Sequence, residues 1–416
     1  MSIFQNLISS IKGGALGSRY FRTKDLDNLP QDINEAVESV MSKSGEVSAL
    51  VYAENLFNLI EALNDKQFIS FFNTLSEKYD IDSDSLSKAS IEYSKNKTQE
   101  NLEKITQSSE PDWVELFRRL NTVPDGTLKL VKLRERIRLL EKESPKLAFF
   151  DAALLNLFKH WFNPSFLVLK RIDWSTPASI LEKIIAYEAV HEINSWGDLR
   201  SRLEPEDRRC FAFFHPLIPN EPLIFVEVAL TNSMPKKIDQ VIKIDRNVIP
   251  ENDINTAVFY SISSCQDGLS GISFGNFLIK EVVHKLKRKN EGLERFVTLS
   301  PVPGFVKWLK EKSISENIDE EDLLKQAIIY FLHSDREDGF PNDPVARFHL
   351  GNGARLERIN LNADISLKGI HQSKGIMVNY LYEVNLLENN HELFFQTKEV
   401  QYSQGIKNLS KKLQIQ

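Results

Sequence analysis

Only two cysteines, Cys210 and Cys265, occur in 416 residues. That is too few for a disulfide framework or a cysteine-rich zinc site. The scarcity suits a reducing compartment, the cytoplasm first and an organelle matrix as the alternative. No run of eighteen apolar residues is present, which argues against a membrane span. A bias of charge is missing too. The chain carries 52 basic and 58 acidic side chains, a formal net charge of −6, so no general attraction to nucleic acid or an anionic membrane follows. Histidines are few and scattered. His160, His191, His215, His284, His333, His371 and His391 show no metal-ligand spacing, so no metal site is expected. Internal repeats and low-complexity tracts are also lacking.

What is present is the composition of a globular protein, 42% hydrophobic and 26% charged. The length favours two domains. Residues 1–23 contain no acidic side chain and carry Lys12, Arg19 and Arg22. They lack the apolar core of a secretory signal. A targeting segment and a docked first helix are both open readings, the helix being favoured. The last residues, Leu413 to Gln416, carry no peroxisomal address.

From about Asp32 to Trp161 the apolar spacing is helical. Leu56, Leu59, Ile60 and Leu63 share one face, as do Phe68, Phe71, Phe72 and Leu75. Asp82 or Asp84 is placed to cap a further helix. Pro124-Asp125-Gly126 reads as a turn between helices over 112–120 and 128–140. Lys129, Lys132, Arg134, Arg136 and Arg138 alternate with Glu135, Glu141 and Glu143, the pattern of a solvated helix face. After Asn163-Pro164 short apolar runs alternate with helical stretches. The fold expected is α+β: an all-α bundle over residues 1–157, used for packing or oligomerisation, then a mixed α/β domain over 158–416.

The segment from Ala257 to Phe305 is the richest. A strand-like run leads into a loop spaced by Gly268, Gly271 and Gly275, then an amphipathic helix, then a second strand-like run ending at Ser300-Pro301. A loop opening at a helix N-terminus favours phosphates. The following helix presents Phe274, Leu278, Val282 and Leu286 as one buried ladder. No Gly-Lys-Ser/Thr follows, so this is not a P-loop. Gly271-Ile272-Ser273-Phe274-Gly275 fits the hydrolase G-x-S-x-G pattern, but a polar stretch, Ser264 to Ser270, stands where a strand is required. Cys265 beside the loop reads as a small buried residue in preference to a reactive thiol. Further on, Val345 to Leu350 alternates as a strand would, with Asn352-Gly353 as a hairpin turn. His349 then projects near a strand end, as a catalytic group or as a structural histidine.

Several ordered blocks carry a resemblance. They are His160-Trp161-Phe162-Asn163-Pro164, Glu188-Ala189-Val190-His191, Val228-Ala229-Leu230-Thr231, and Phe259-Tyr260-Ser261-Ile262-Ser263. Gly268-Leu269-Ser270-Gly271, Gly275-Asn276-Phe277-Leu278-Ile279-Lys280, Leu299-Ser300-Pro301-Val302-Pro303-Gly304-Phe305 and Phe348-His349-Leu350 complete them. From about Leu154 to Tyr380 the chain resembles the malonyl-CoA decarboxylases. The resemblance implies a helical domain followed by a catalytic domain of the GNAT acyltransferase fold, and the conversion of malonyl-CoA to acetyl-CoA and CO2. It implies that Ser270, Gly271, Ile272, Ser273, Phe274, Gly275 and Asn276 line the coenzyme A site. Ser300 and His349 would form the catalytic pair and contact substrate, with Lys183, Ser261 and Ser273 as candidate supporting residues. The family's loop glutamate is replaced by Ser273, and Asp343 precedes Pro344 where Asn is usual, so Asp343 is a candidate substitute charge.

Losing CO2 from a malonyl thioester leaves charge that the thioester oxygen delocalises, so no cofactor is demanded. Each donor aimed at that oxygen contributes roughly 3–4 kcal/mol. A group titrating near neutral pH, His349, suits proton delivery. Two other classes stay open: an acyltransferase passing an acyl group from coenzyme A to an acceptor, and a non-catalytic malonyl-CoA-binding regulator.

Overall fold

The computed structural model describes residues 29–42, 46–315 and 318–415. The targeting and first-helix readings of residues 1–23 lie outside them. The described chain divides into two compact units. One comprises residues up to 163 together with 266–272; the other comprises 164–265 and 273–416.

The first unit is helical: α1 (Ile33–Met41), α2 (Glu46–Ala62), α3 (Asp65–Lys78), α4 (Ser83–Lys95), α5 (Gln99–Ser108), α6 (Asp112–Leu120), α7 (Gly126–Leu140) and α8 (Leu147–Trp161). Short polar residues start several of them. Asp82, the earlier of the two candidates, caps α4 by accepting from Asp84 N and Ser85 N. Asn64 and Gln67 form a reciprocal capping box on α3. The core is aromatic. Phe150 lies 4.8 Å from Phe72, 4.4 Å from Trp113 and 6.3 Å from Phe117, ring centroid to centroid. Each such ring contributes about 1.5–3 kcal/mol by leaving water.

One basic residue of α7 departs from the expected solvated face. Arg134 is fully buried. It donates to Gly268 O at 2.7 Å and Ser270 O at 2.9 Å, and its Nη2 reaches Asp151 at 3.3 Å. Its Nε lies 2.9 Å from Asp151 Oδ1, an ion pair poorly aligned for a hydrogen bond. The alternating charges concealed it because long-range carbonyl acceptors leave no local signal.

The second unit contains an eight-stranded sheet. Its strands are β1 (Val168–Ile172), β2 (Arg208–His215), β3 (Ile218–Thr231), β4 (Thr256–Ser264), β5 (Arg295–Thr298), β6 (Ser300–Pro301), β7 (Arg355–Asn360) and β8 (Met377–Tyr382). The order is β1-β2-β3-β4-β5-β8-β6, with β7 also on β8. All pairs are antiparallel except β4 and β5. The helices are α9 (Ala178–Tyr187), α10 (Trp196–Leu203), α11 (Asp239–Ile242), α12 (Gly275–Lys289), α13 (Phe305–Glu311), α14 (Glu320–Leu332), α15 (Pro344–Gly351), α16 (Leu367–Ser373), α17 (Leu387–Thr397) and α18 (Gln404–Lys412). The ladder Phe274, Leu278, Val282 and Leu286 is buried as expected. Thus the α+β organisation, a helical part before a mixed sheet, is present.

The one parallel pair positions the site. β4 and β5 are in register from Thr256 opposite Arg295 to Phe259 opposite Thr298, and their pairing stops there. Beyond it Ser300 pairs with Val378 of β8 instead. The two strands therefore part, leaving Ser261 and Ser300 on the same face of an opening wedge. Crevices at the carboxyl ends of parallel strands are natural ligand sites.

The strand and hairpin expected over Val345 to Gly353 is a helix, α15, and a helix-exit turn. The cause is its start. Asp343 Oδ1 accepts from Val345 N and Ala346 N, both at 2.9 Å, and Pro344 occupies the first turn. Cap chemistry outweighs the two-residue alternation. Gly353 takes φ +84°, and a Cβ there would lie 2.1 Å from Leu387 O, so glycine serves this turn before β7.

Candidate active site

Ser300 and His349, 49 positions apart, meet. Ser300 Oγ lies 3.0 Å from His349 Nε2. Ser300 also donates to Thr298 Oγ1 at 2.8 Å, and His349 Nδ1 lies 2.7 Å from the Tyr382 hydroxyl. Tyr380 stacks on the imidazole with centroids 4.7 Å apart. With Ser300 donating to Thr298, His349 Nε2–H donates to Ser300 and Nδ1 accepts from Tyr382. Burial pushes the Tyr382 phenol well up, so it keeps its proton for this bond.

Both partners are buried, Ser300 5% and His349 3% exposed. They line a cavity of about 240 Å³ whose other walls include Ser261, Val190, Ile224 and Phe348. Among the described residues no lysine or arginine lines it. Burial alone lowers His349 to about 3. The expectation of a histidine titrating near neutrality is therefore corrected: with no facing charge, desolvation favours the neutral ring.

The supporting residues fall in different places. Ser261 lines the cavity and donates to both oxygens of Glu188, at 2.8 and 2.7 Å. Lys183 does not line it; its ammonium is committed to Glu221 and to Asn220 O at 3.0 Å. Of the loop, Ser270, Gly271 and Ile272 group with the helical unit, whereas Ser273, Phe274, Gly275 and Asn276 belong to the sheet unit. Gly271 takes φ +90°. Gly275 begins α12 against Phe348, where a Cβ would come within 2.2 Å of the ring. Glycine thus lets α12 start beside a cavity wall. The hydrolase elbow is absent, because β4 ends at Ser264 and a 3-10 turn, Asp267–Leu269, precedes Ser273. Cys265 is buried and its thiol is pushed well up, the state of a packed residue.

Sequence reasoning missed Thr298, Tyr380 and Tyr382. Alternation in β8 places Tyr380 and Tyr382 on one face, which was the available signal.

Asp343 does not reach His349 among its hydrogen bonds. It caps α15, accepts from the Tyr330 hydroxyl at 3.2 Å, and is raised to about 6 by burial. A carboxyl raised on folding stabilises below its unfolded pKa near 3.8, and that contribution is lost as pH rises to 6. The loss amounts to roughly 3 kcal/mol at most. Asp343→Asn keeps the cap acceptor without a buried charge. The melting temperature of this variant is expected to exceed that of the parent at pH 7.5 and to match it near pH 4, read by calorimetric scans at both.

A model of the malonyl-CoA decarboxylase N-terminal domain matches residues 79–162, and one of the C-terminal domain matches 165–323 and 312–416. The goose protein "Malonyl-CoA decarboxylase, mitochondrial" is 34% identical over 347 residues, 71% of this chain and 69% of that protein. The rat protein of the same name is 34% identical over 350 residues, 72% and 71% of the two chains. The crystal structure of malonyl-CoA decarboxylase from Rhodopseudomonas palustris aligns with a TM-score of 0.84 at 43% identity, over 91% of this chain and 100% of that one. The Agrobacterium vitis structure aligns with a TM-score of 0.85 at 44% identity, over 91% and 99%. With both domain models matched in order and relatives spanning more than two thirds of each chain, this chain belongs to the malonyl-CoA decarboxylase family.

Proposed function

We propose that the chain is a carboxy-lyase converting malonyl-CoA to acetyl-CoA and CO2, with Ser300 and His349 handling the proton. The observation that carries this reading is the hydrogen-bonded pair inside a cavity that, among the described residues, has no lysine or arginine in its lining. A binding site built to keep a carboxylate would place arginine or lysine against it. A site that discharges the carboxylate as neutral, apolar CO2 has no such need.

The bond between the α-carbon and the carboxylate breaks, and its electron pair moves into the α-carbon–thioester system as an enolate. CO2 leaves, and one proton is added to the α-carbon. Because the thioester delocalises the charge, no added cofactor or metal is proposed. The bound carboxylate opposes the burial that holds His349 neutral, so a proton enters with the substrate. It occupies His349 Nδ1, the ring nitrogen without a proton in the resting tautomer, with the Tyr382 hydroxyl turning to accept, and the Nε2 proton is the one that Ser300 Oγ, 3.0 Å away, relays or orients. Tyr382 and Tyr380 fix the ring plane.

The loop from Ser270 to Asn276 is proposed to hold the coenzyme A moiety, Ser261 to support the acyl end, and Lys183 to act only through the segment it ties to Asn220. A homo-oligomer through the helical part is also proposed, because Leu139 and Phe149 expose 75% and 68% of their surface there. Buried, unpaired Cys210 and Cys265 suit the cytoplasm or an organelle matrix. Among the described residues no helix is long and apolar enough to cross a membrane.

The purified protein given malonyl-CoA, without acceptor or added metal, is expected to release equimolar acetyl-CoA and CO2; methylmalonyl-CoA tests acyl breadth. Product that appears only with an acyl acceptor indicates an acyltransferase instead. A thermal shift with malonyl-CoA but no turnover indicates a regulator.

A further inference from the structure

Glu188 follows the last turn of α9 and is 8% exposed. It accepts from Val190 N and His191 N, both at 2.8 Å, from Ser261 Oγ on both oxygens, and from Ser263 Oγ at 3.3 Å. Four donors converging on both oxygens is the pattern of an ionised carboxylate, an acceptor only. A hydroxyl has one proton. With that proton directed at Glu188, Ser261 turns lone pairs, not a donor, toward the cavity it lines.

Resting on the decarboxylase reading, we infer that Glu188 is a positioning residue that withholds the Ser261 hydroxyl proton from the substrate carboxylate. Ser261 and Ser300 both line the cavity beyond the point where the β4–β5 pairing stops, so an α-carbon within reach of Ser300 and His349 can set its carboxylate against the wall that Ser261 helps to form. That wall is Ser261 with the apolar Val190 and Ile224. The carboxylate there meets lone pairs and hydrocarbon, with the Glu188 charge behind. Its ground state is left unsolvated, whereas the departing CO2 needs no donor. The chemistry is unchanged: the same C–C bond breaks and the same proton is added. Glu188 alters only how strongly the carboxylate is held before it leaves.

Glu188→Gln tests this directly. The Gln oxygen still accepts from Val190 N and His191 N, while its amide donates to Ser261 Oγ and frees the Ser261 proton for the substrate. The freed donor is expected to lower KM for malonyl-CoA about fivefold and kcat about tenfold together, the signature of relieved ground-state strain. Inhibition by acetyl-CoA, which has no carboxylate, is expected to stay unchanged. Adding Ser261→Ala removes the freed donor and is expected to return KM to the parent value. A raised KM together with weakened acetyl-CoA inhibition overturns the inference, since both follow from a merely structural role. Ser261→Ala alone serves if Glu188→Gln does not fold: the inference requires KM for malonyl-CoA to change less than about twofold, and a tenfold rise would show that Ser261 donates to the substrate. If the parent protein binds malonyl-CoA without releasing CO2, the functional reading fails alone. The ratio of malonyl-CoA to acetyl-CoA Kd, by calorimetry, then still reads the Glu188 contact: it is expected to fall in Glu188→Gln, and an unchanged ratio overturns the inference.

Discussion

Replacing His349 with Gln is expected to lower kcat for malonyl-CoA by about 10²–10⁴-fold, the range for a positioned acid–base group. KM should change little, because the lost interaction acts in the transition state and not in substrate binding. Glutamine can still bond Ser300 Oγ, so the loss reports proton transfer more than collapse of the 3.0 Å contact. The pH profile adds a second check. The ratio kcat/KM reports groups of the free enzyme, and His349 there lies near 3. No acid limb from this residue is therefore expected between pH 5 and 7 in kcat/KM. The substrate carboxylate raises the ring, so binding of malonyl-CoA should take up a proton, seen as a buffer-dependent heat; acetyl-CoA binding should not. The effect on stability has a definite sign. A histidine lowered on folding stabilises fully above its unfolded pKa of 6.5, and that contribution is lost as pH falls toward 3. His349→Gln is expected to remove that acid sensitivity.

How much of this was legible depended on whether the governing contact was local. Helix faces such as Phe68, Phe71, Phe72 and Leu75 were readable because spacing encodes burial directly, and all four are buried. The ladder on α12 was readable for the same reason. Ser300 and His349 came from the resemblance of ordered blocks, since no spacing rule links positions 49 apart. At Val345 to Leu350 two local signals conflicted, alternation against the Asp343-Pro344 start, and the cap decided the structure because it satisfies two N–H groups that a helix start otherwise leaves open. Thr298, Tyr382 and Glu188 act through bonds spanning strand partings and chain turns, which a single sequence does not display. The low His349 value was hidden likewise: it follows from burial with no charged neighbour shifting it, a property of the packed cavity.

Arg134 is the contact least visible in the sequence, and its removal is expected to have the largest effect on stability. Arg134→Met keeps the length and apolar stem of the side chain but deletes a guanidinium that serves Gly268 O, Ser270 O and Asp151 at once. Two carbonyls lose donors, and Asp151, 17% exposed, loses its Arg134 partner while Arg138 at 3.7 Å is too distant to replace it fully. Breaking a buried pair by deleting one partner costs about 3–5 kcal/mol. The segment it holds has little freedom to readjust. A Cβ on Gly268 would sit 1.9 Å from Val131 O, so the turn is already pressed against α7. Arg134→Lys should recover only part of the loss, since an ammonium lacks the planar fork that bridges two carbonyls and a carboxylate. Urea unfolding is expected to show a lowered midpoint in the order parent, Lys, Met. A midpoint unchanged in Arg134→Met would mean that water or neighbouring groups satisfy these atoms equally well. The same variant tests the coenzyme assignment of Ser270, Gly271 and Ile272. If those residues hold the coenzyme, KM for malonyl-CoA should rise about tenfold or more at temperatures where the protein stays folded, while kcat at saturation changes less, because Ser300 and His349 depend on other contacts.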